Sequence, residues 1–191
     1  MRDEPKSVII NQIIKEKKYK SYLEIGYQLG VNFDRIKCEY KHAVDPSPRK
    51  ECKNLSVCTS NEFFELYRTA NKYDIILVDG SHLCEQVRQD IINASKCLSK
   101  NGCIILHDVL PQEEANQTRE IGSGAWTGDV WRAYVGLINN YNNLGHLTYN
   151  TDWGVAVISP NGTVYEGEFE DKTMSFNDFL QCRDLLLNVK Q

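Results

Sequence analysis

The 191-residue sequence lacks any apolar stretch close to the roughly 20 residues that span a bilayer. Its opening residues, MRDEPKS, also lack the apolar core of a secretory signal. Positive charge is not in excess, because 22 lysines and arginines face 26 acidic residues, for a net charge of −4. A protein that grips nucleic-acid phosphates usually has the opposite balance. These absences predict a cytoplasmic protein with no membrane span and no nucleic-acid partner.

Basic residues do gather near the start of the chain, but among isoleucines at helical spacing, which indicates a solvated helix face. They are Lys6, Lys15, Lys17, Lys18 and Lys20. The seven cysteines form no CxxC pair, so the sequence predicts reduced thiols rather than a disulfide framework or a zinc site. A G-x-S-x-G elbow is also missing, which excludes an α/β hydrolase. The G-x-G-x-x-G fingerprint is missing too, which argues against a nicotinamide-dependent oxidoreductase.

Helical and short apolar segments alternate through the first two thirds of the chain, which is typical of a parallel sheet flanked by helices. Gly102 fits the left-handed position that closes a helix before the fifth strand. The predicted strands end near residues 25, 45, 58, 78 and 106, and the predicted helices cover about 5–18, start near 61 and start near 84.

The last third has a looser pattern. Its predicted elements are a loop over 111–127, a helix over about 129–140, a strand pair over about 146–150 and 153–158, and a helix from about 175. A loop of this length is often functional, and we expect it to contact substrate. The sequence thus predicts one Rossmann-like, doubly wound α/β domain over 1–191, with a mostly parallel sheet and an antiparallel C-terminal strand pair.

A glycine-containing turn follows the first predicted strand, from Glu24 to Gly30. Glycine lets a ligand approach the backbone closely, so Gly26 and Gly30 indicate a nucleotide-like ligand or, alternatively, a tight strand-to-helix turn. Asp45 ends the next strand about 20 residues later, where a carboxylate can accept hydrogen bonds from ribose hydroxyls. Asp45 also suits plain turn chemistry, since it begins the sequence DPSP.

Polar residues also follow the fourth and fifth predicted strands, as Asp79-Gly80-Ser81-His82 and as His107-Asp108. Ligands of open α/β sheets bind outside the carboxyl ends of the strands, so these residues would meet the glycine turn in one crevice. Each alone has a structural explanation, because a strand-end Asp often caps a helix and a lone His is usually a hydrogen-bonded structural residue. Their convergence indicates a functional site.

The segments EIGYQLGVNF, AVDP, TSNEFF, DIILVDGSH and GCIILHDV together resemble the class I S-adenosylmethionine methyltransferases. More narrowly, they are similar to the branch that contains O-methyltransferases of sugars and natural products. The resemblance extends over roughly residues 19–159, and its most specific part is the DGSH and HDV pair separated by a helix. The chain lacks an Asn/Asp-Pro-Pro-aromatic run, which is typical of methyl transfer to a base or amide nitrogen, and this favours oxygen.

The resemblance implies S-adenosylmethionine as the cofactor and assigns residues to its parts. Asp79 and Asp108 would face the transferred methyl group. The implied cofactor contacts are the methionine portion at Glu24, Gly26 and Gly30, the ribose at Asp45, and the adenine at Thr59 and Ser60.

Some relatives in this branch bind a divalent metal such as magnesium through strand-end carboxylates, and Asp79 and Asp108 occupy the matching positions. Such enzymes often add a third acid or amide beside the second carboxylate, where this chain has Val109 on one side and His107 on the other. The ligand count therefore leaves dependence on a divalent metal open.

Methyl transfer is an in-line displacement at a sulfonium carbon, so the protein aligns the acceptor and receives its proton. A sugar hydroxyl holds its proton far above neutral pH and therefore needs a base. Asp79, His82, His107 and Asp108 are the candidates, and we favour Asp79 or His107. Alternatively, Asp108 orients His107 or contacts the cofactor amine.

Tryptophans beside a polar cleft can stack on the apolar face of a sugar ring. This favours Trp126 and Asp129 as acceptor contacts, whereas Trp131 suits the core better. Trp153 is placed at the same end of the sheet, with plain packing as an equal alternative. The resemblance, together with these aromatic residues, therefore implies an O-methyltransferase that acts on a sugar or glycan, such as rhamnose or another deoxysugar.

Two alternatives remain at this point. One is an O-methyltransferase of a non-sugar small molecule, and the other is a non-catalytic nucleotide-binding module. The length also leaves open that the chain is part of a larger glycan-assembly enzyme, fused to glycosyltransferase domains, or that it forms a homo-oligomer.

Overall fold

The computed structural model of the protein describes residues 5–67, 72–122 and 124–190. Its helices are α1 (Lys6–Lys17), α2 (Val31–Arg35), α3 (Ser60–Tyr67), α4 (Cys84–Cys97), α5 (Val130–Asn140) and α6 (Phe176–Leu186). Its strands are β1 (Ser21–Ile25), β2 (Tyr40–Val44), β3 (Leu55–Ser56), β4 (Tyr73–Val78), β5 (Leu98–Leu106), β6 (Gly145–Tyr149), β7 (Val155–Ser159) and β8 (Val189–Lys190).

The eight strands form one sheet in the order β3-β2-β1-β4-β5-β7-β6-β8. Strands β1 to β5 pair in parallel, whereas β7 runs antiparallel to both β5 and β6. From β1 the next strands in sequence, β2 and β3, lie on one side, and from β4 the next strand, β5, lies on the other side. The strand order therefore reverses between β1 and β4. This topology confirms the predicted Rossmann-like sheet with an antiparallel C-terminal strand pair.

Both faces of the central strands are covered by helices. Alternate residues of a strand point to opposite faces, and in β4 and β5 the two sets are Ile76 with Ile104 and Ile75 with Ile105, all fully buried. The first pair packs in a core with α4 and α5, and the second packs in a core with α1. Because both faces are buried, these strands read as continuous apolar runs in the sequence.

The prediction for Gly102 was wrong. α4 ends at Cys97 and the chain continues directly into β5, without a left-handed glycine between them. A Cβ atom at position 102 would lie 2.7 Å from the backbone oxygen of Asp74 and 2.7 Å from the side chain of Leu98. Glycine is therefore required by the close approach of β5 to its neighbour.

Several boundaries also differ from the predicted ones. β3 contains only two residues, and β8 pairs with β6 although no strand was predicted there. The predicted loop over 111–127 contains a 3₁₀ helix (Glu114–Gln117), which the buried side chain of Asn116 ties to the backbone of Gln112, Glu113 and Ala125. Among the helices of the described residues, none combines the length and apolar character that crossing a membrane requires.

Candidate functional site

The carboxyl ends of β1, β2, β4 and β5 border a cleft of about 890 Å³. It lies where the strand order reverses, which is the usual ligand position in open α/β sheets. Gly30, Asp129 and Trp153 lie outside its lining. The other predicted site residues line it, namely Glu24, Gly26, Asp45, Thr59, Ser60, Asp79, His82, His107, Asp108 and Trp126.

Gly26 forms the turn that follows β1. Its φ is +96°, and a Cβ atom at this position would lie 2.1 Å from the backbone oxygen of Asp79. Only glycine satisfies both conditions, because it has no Cβ and tolerates positive φ. Gly30 also has positive φ, at +70°, and its missing side chain makes room for the ring of Tyr27. The two glycines therefore shape the floor of the cleft and the packing of its turn, respectively.

Asp45 ties the end of β2 to this turn. Its Oδ2 accepts hydrogen bonds from the backbone N–H groups of Tyr27 at 3.0 Å and Gln28 at 2.7 Å. Its Oδ1 accepts one from Ser47 at 2.7 Å, which is an Asx turn. Asp45 therefore has the predicted turn role and also lines the cleft, while its contact with a ribose stays a prediction.

Glu24 is an almost fully buried acid, only 1% exposed, at the end of β1. The Tyr22 hydroxyl and the Asn32 amide both donate to its Oε2, the latter at 2.7 Å. Burial raises the pKa of Glu24 to about 7, and the two hydrogen bonds oppose this rise only in part. A cationic group that entered the cleft here would favour the ionised carboxylate.

Thr59 and Ser60 lie at the N-terminus of α3. The backbone N–H and the hydroxyl of Thr59 both donate to Glu62 Oε2, at 2.8 and 2.7 Å, and so cap the helix. Ser60 accepts a hydrogen bond from Gln86, whose amide also donates to Asp90 Oδ1 at 3.0 Å. Burial raises the pKa of Asp90 to about 6. The sequence analysis did not identify Asp90, although it lines the same cleft.

Asp79 lies between two basic groups. Its Oδ2 is 3.1 Å from the Lys6 ammonium, and its Oδ1 is 3.1 Å from His107 Nδ1. Burial alone would raise the pKa of Asp79, but His107 and Lys6 hold this pKa well below its usual range. Asp79 is therefore ionised across the physiological pH range.

His107 is surrounded by three carboxylates. Besides Asp79, its Nδ1 lies 3.2 Å from Asp108 Oδ2, and its Nε2 lies 3.5 Å from Asp152 Oδ2. Burial opposes protonation, but the three acids hold the pKa of His107 well above its usual range. The three carboxylates therefore favour the protonated imidazole over the neutral one.

His82 lies on the other side of Asp108, whose Oδ2 is 3.4 Å from His82 Nε2. The imidazole also stacks on the indole of Trp126. Its Nδ1 is buried and makes no hydrogen bond within the described residues. Asp108 itself has a φ of +60°, a rare conformation for a residue with a side chain, and such strain concentrates at functional sites.

Two predicted acceptor contacts lie outside the cleft lining and have partners within the chain. Asp129 is buried and accepts hydrogen bonds from the Cys84 backbone N–H at 2.7 Å and from Arg119 at 2.6 Å, so it caps α4. Trp153 is 39% exposed outside the cleft, and its backbone oxygen accepts a hydrogen bond from Leu110. Trp131 is fully buried, as predicted for a core residue.

Lys6 and Asp152 contact Asp79 and His107 of the candidate site, and the sequence indicated neither of them. Lys6 was predicted to lie on a solvated helix face, but its side chain is only 16% exposed and points to Asp79. Asp152 precedes β7, in a turn where residues 152, 153 and 154 all have positive φ. The sequence Asp-Trp-Gly indicates a turn at this position. It does not indicate that the Asp152 side chain contacts His107.

The fit of a magnesium ion to this group can be tested from the contacts. One ligand atom each from Asp79, His82 and Asp108 lie within 4.8 Å of one another. However, both oxygens of Asp79 already contact Lys6 and His107, and Mg²⁺ demands nearly octahedral oxygen ligands. The residues as arranged do not fit a magnesium ion.

Solved methyltransferase structures share the fold at low sequence identity. An O-methyltransferase from Bacillus cereus in complex with SAH aligns with a TM-score of 0.59 at 12% identity, over 83% of each chain. TomG from Streptomyces achromogenes, an O-methyltransferase of tomaymycin synthesis in complex with SAM, aligns with a TM-score of 0.58 at 12% identity, over 81% of this chain and 79% of TomG. SAH-bound PaMTH1 from Podospora anserina aligns with a TM-score of 0.58 at 15% identity, over 81% and 77%.

No curated protein matches the sequence. The methyltransferase-domain family, in contrast, matches residues 12–109, just over half of the chain. The matched segment contains β1 to β5 and the strand ends that border the cleft. The chain therefore belongs to the methyltransferase-domain family.

Proposed function

We propose that the protein transfers a methyl group from S-adenosylmethionine to a hydroxyl oxygen of a sugar or glycan. Family membership supports methyl transfer, and structures of the same fold that hold SAM or SAH support the cofactor. The observation that carries the proposal is the group of acids and imidazoles directly beside the glycine turn. A base and a cofactor turn in one cleft are what methyl transfer to a hydroxyl needs.

The cofactor would lie along the strand ends. Its methionine portion would meet Gly26 and Glu24, whose buried carboxyl can pair with the cofactor amino group. Its ribose would reach Asp45, and its adenine would lie beside Thr59 and Ser60 at the start of α3. This order matches the order of the strands in the sheet, since β1, β2 and β3 are neighbours.

The proposed base is His82. The surrounding carboxylates raise the pKa of His107 and so favour the protonated imidazole, which cannot accept a further proton, and Asp79 is a weak base because its pKa is lowered. The His82 side chain is 18% exposed, and its Nε2 lies 3.4 Å from Asp108 Oδ2, where the carboxylate can stabilise the protonated imidazole. These contacts support His82 rather than the Asp79 or His107 that the sequence analysis favoured.

The proposed step is a single displacement. S-adenosylmethionine would supply the methyl group: the acceptor oxygen would form a bond to the methyl carbon as the carbon–sulfur bond breaks, and S-adenosylhomocysteine would be released. The hydroxyl proton would move to Nε2 of His82, since Nδ1 is buried, and Asp108 would balance the charge that forms on the imidazole. Asp79 and His107, which line the same cleft, would lie beside the transferred methyl group.

The preference for a sugar rests on Trp126 and on the polar groups beside it. An indole at the edge of a charged cleft can cover the apolar face of a sugar ring, while carboxylates accept hydrogen bonds from its hydroxyls. A non-sugar acceptor is the second candidate, because the cleft lining also includes the exposed aliphatic side chains of Leu29, Val31 and Ile121. These would suit an acceptor with an apolar ring or chain.

Transfer of a deuterated methyl group from labelled SAM to a panel of acceptors tests the proposal. The panel contains free sugars, including deoxysugars, and hydroxylated aromatic compounds, and mass spectrometry identifies both the product and the methylated atom. We expect an O-methyl sugar, at least about 100-fold less with His82→Ala, and unchanged product with His146→Ala, a histidine outside the cleft. Methyl transfer to nitrogen would contradict the proposal, and cofactor binding without transfer to any acceptor would favour a non-catalytic module.

A further inference from the structure

Lys6 reaches the acidic group of the cleft from the first turn of α1. Its ammonium is 3.1 Å from Asp79 Oδ2, and its side chain is only 16% exposed. Its backbone N–H donates to Asp152 Oδ2 at 2.8 Å. Because the residue is bound at both ends, the ammonium is held in place and is not a mobile surface charge.

The acids that could bind a metal are already paired within the chain. Lys6 contacts one oxygen of Asp79, and His107 Nδ1 contacts the other at 3.1 Å. Asp108 Oδ2 lies 3.4 Å from His82 and 3.2 Å from His107. A divalent ion shared by Asp79 and Asp108 would have to displace at least one of these partners.

Displacement of Lys6 is unfavourable for two reasons. The ammonium would remain largely buried without its carboxylate, which is far less stable than the pair. It would also lie beside a divalent cation, and like charges repel strongly where water is scarce. Lys6 therefore competes with a metal for the same position.

We propose that the Lys6 ammonium occupies the position of a divalent metal ion on Asp79. The positive charge in the cleft of this methyltransferase then comes from a side chain and not from a bound metal. The side chain supplies the positive charge beside Asp79 and keeps this carboxylate from repelling an electron-rich acceptor oxygen. In the proposed reaction Lys6 is a positioning residue, since it acts on the acceptor through Asp79. The inference rests on the proposed function only for that last role.

Binding of Mn²⁺ to the purified protein tests the inference without cofactor or acceptor, because electron paramagnetic resonance distinguishes free from bound Mn²⁺. We expect no saturable binding to the wild-type protein and stoichiometric binding to Lys6→Met, with an affinity raised by about 100-fold or more. Lys6→Arg retains the charge and should not bind. Lys15→Met, an exposed lysine of the same helix, is the matched control and should behave like the wild type.

Two results would contradict the proposed role of Lys6. Tight stoichiometric Mn²⁺ binding by the wild type would overturn the inference. So would a Lys6→Met variant that melts as a folded protein but gains no affinity for Mn²⁺. A failure to transfer methyl groups would instead count against the proposed function and would leave the Mn²⁺ results unchanged, so the two failures are distinguishable.

Discussion

The imidazole of His82 and the indole of Trp126 stack nearly in parallel, with ring centroids 4.6 Å apart and an interplanar angle of 15°. The indole N–H donates to the backbone oxygen of Thr118 at 2.6 Å. This hydrogen bond fixes the ring relative to the segment that follows the 3₁₀ helix, and the ring in turn fixes the imidazole. The proposed base is thus held by Asp108 on one side and by Trp126 on its face.

Removal of the Trp126 ring should impair methyl transfer more than cofactor binding. Trp126→Ala frees the His82 imidazole, and we expect kcat/KM for the acceptor to fall at least about tenfold, with unchanged SAH affinity. Trp126→Phe keeps a stacking ring and should retain most of the activity. Trp153→Ala is the control outside the cleft, and a larger effect from this variant would contradict the assignment of Trp126.

A side chain at position 26 should destroy the cleft. Gly26→Ala places a Cβ atom against the Asp79 backbone at positive φ, so we expect a loss of about 3 kcal/mol in the free energy of unfolding together with loss of SAH binding. Gly122→Ala is the matched control, since a Cβ atom there would meet no atom within 4 Å. Denaturant melts and calorimetry measure both quantities, and normal SAH binding by Gly26→Ala would contradict the cofactor position.

The pH dependence of cofactor binding should follow Glu24. Its pKa of about 7 in the free protein means that the carboxyl is about half protonated at neutral pH, whereas a cofactor amino group requires the ionised form. SAH affinity should therefore rise from about pH 6 to about pH 8, with proton release on binding. Calorimetry in buffers of different ionisation heat measures this release. Glu24→Gln should bind more weakly and without this pH dependence, and proton uptake by the wild type would contradict the assignment.

Asp90 should make the protein less stable as the pH rises. Burial raises its pKa from 3.8 to about 6, so the folded state holds a proton that the unfolded state releases between these values, and stability is lost as the pH rises through them. The shift corresponds to about 3 kcal/mol. Asp90→Asn should therefore lose less stability than the wild type between about pH 4 and about pH 6 in urea melts. If the free energy of unfolding of the wild type and of Asp90→Asn depended on pH in the same way, the pKa of Asp90 would not be raised in the folded protein.

The strands that carry the site could be predicted because both faces of β4 and β5 are buried, which leaves a continuous apolar run that ends at Asp79 and at His107. The parallel order then brings these ends to one edge of the sheet. The role of Gly102 could not be predicted, because a side chain at this position would clash with the backbone of Asp74 on the neighbouring strand β4. The residues next to Gly102 in the sequence do not indicate that contact.

Lys6 and Asp152 escaped prediction for a similar reason. Helical periodicity predicted α1, but it does not indicate that the side chain of Lys6, the first residue of the helix, contacts Asp79. Asp152 is 45 residues away from His107 along the chain and reaches it because β7 folds back against β5. The cytoplasmic location, the homo-oligomer and the fusion to glycosyltransferase domains stay predictions, since they concern matters outside this chain's own contacts.

Calorimetric titration with SAH, with NAD as the control ligand, tests the central claim that the cleft beside Gly26 holds the methyl donor. We expect SAH binding by the wild type, none by Asp45→Ala, and wild-type affinity for Asp184→Ala, an exposed acid on α6; melting curves verify that each variant is folded. Binding of NAD in place of SAH, or full SAH affinity in a folded Asp45→Ala protein, would contradict the account.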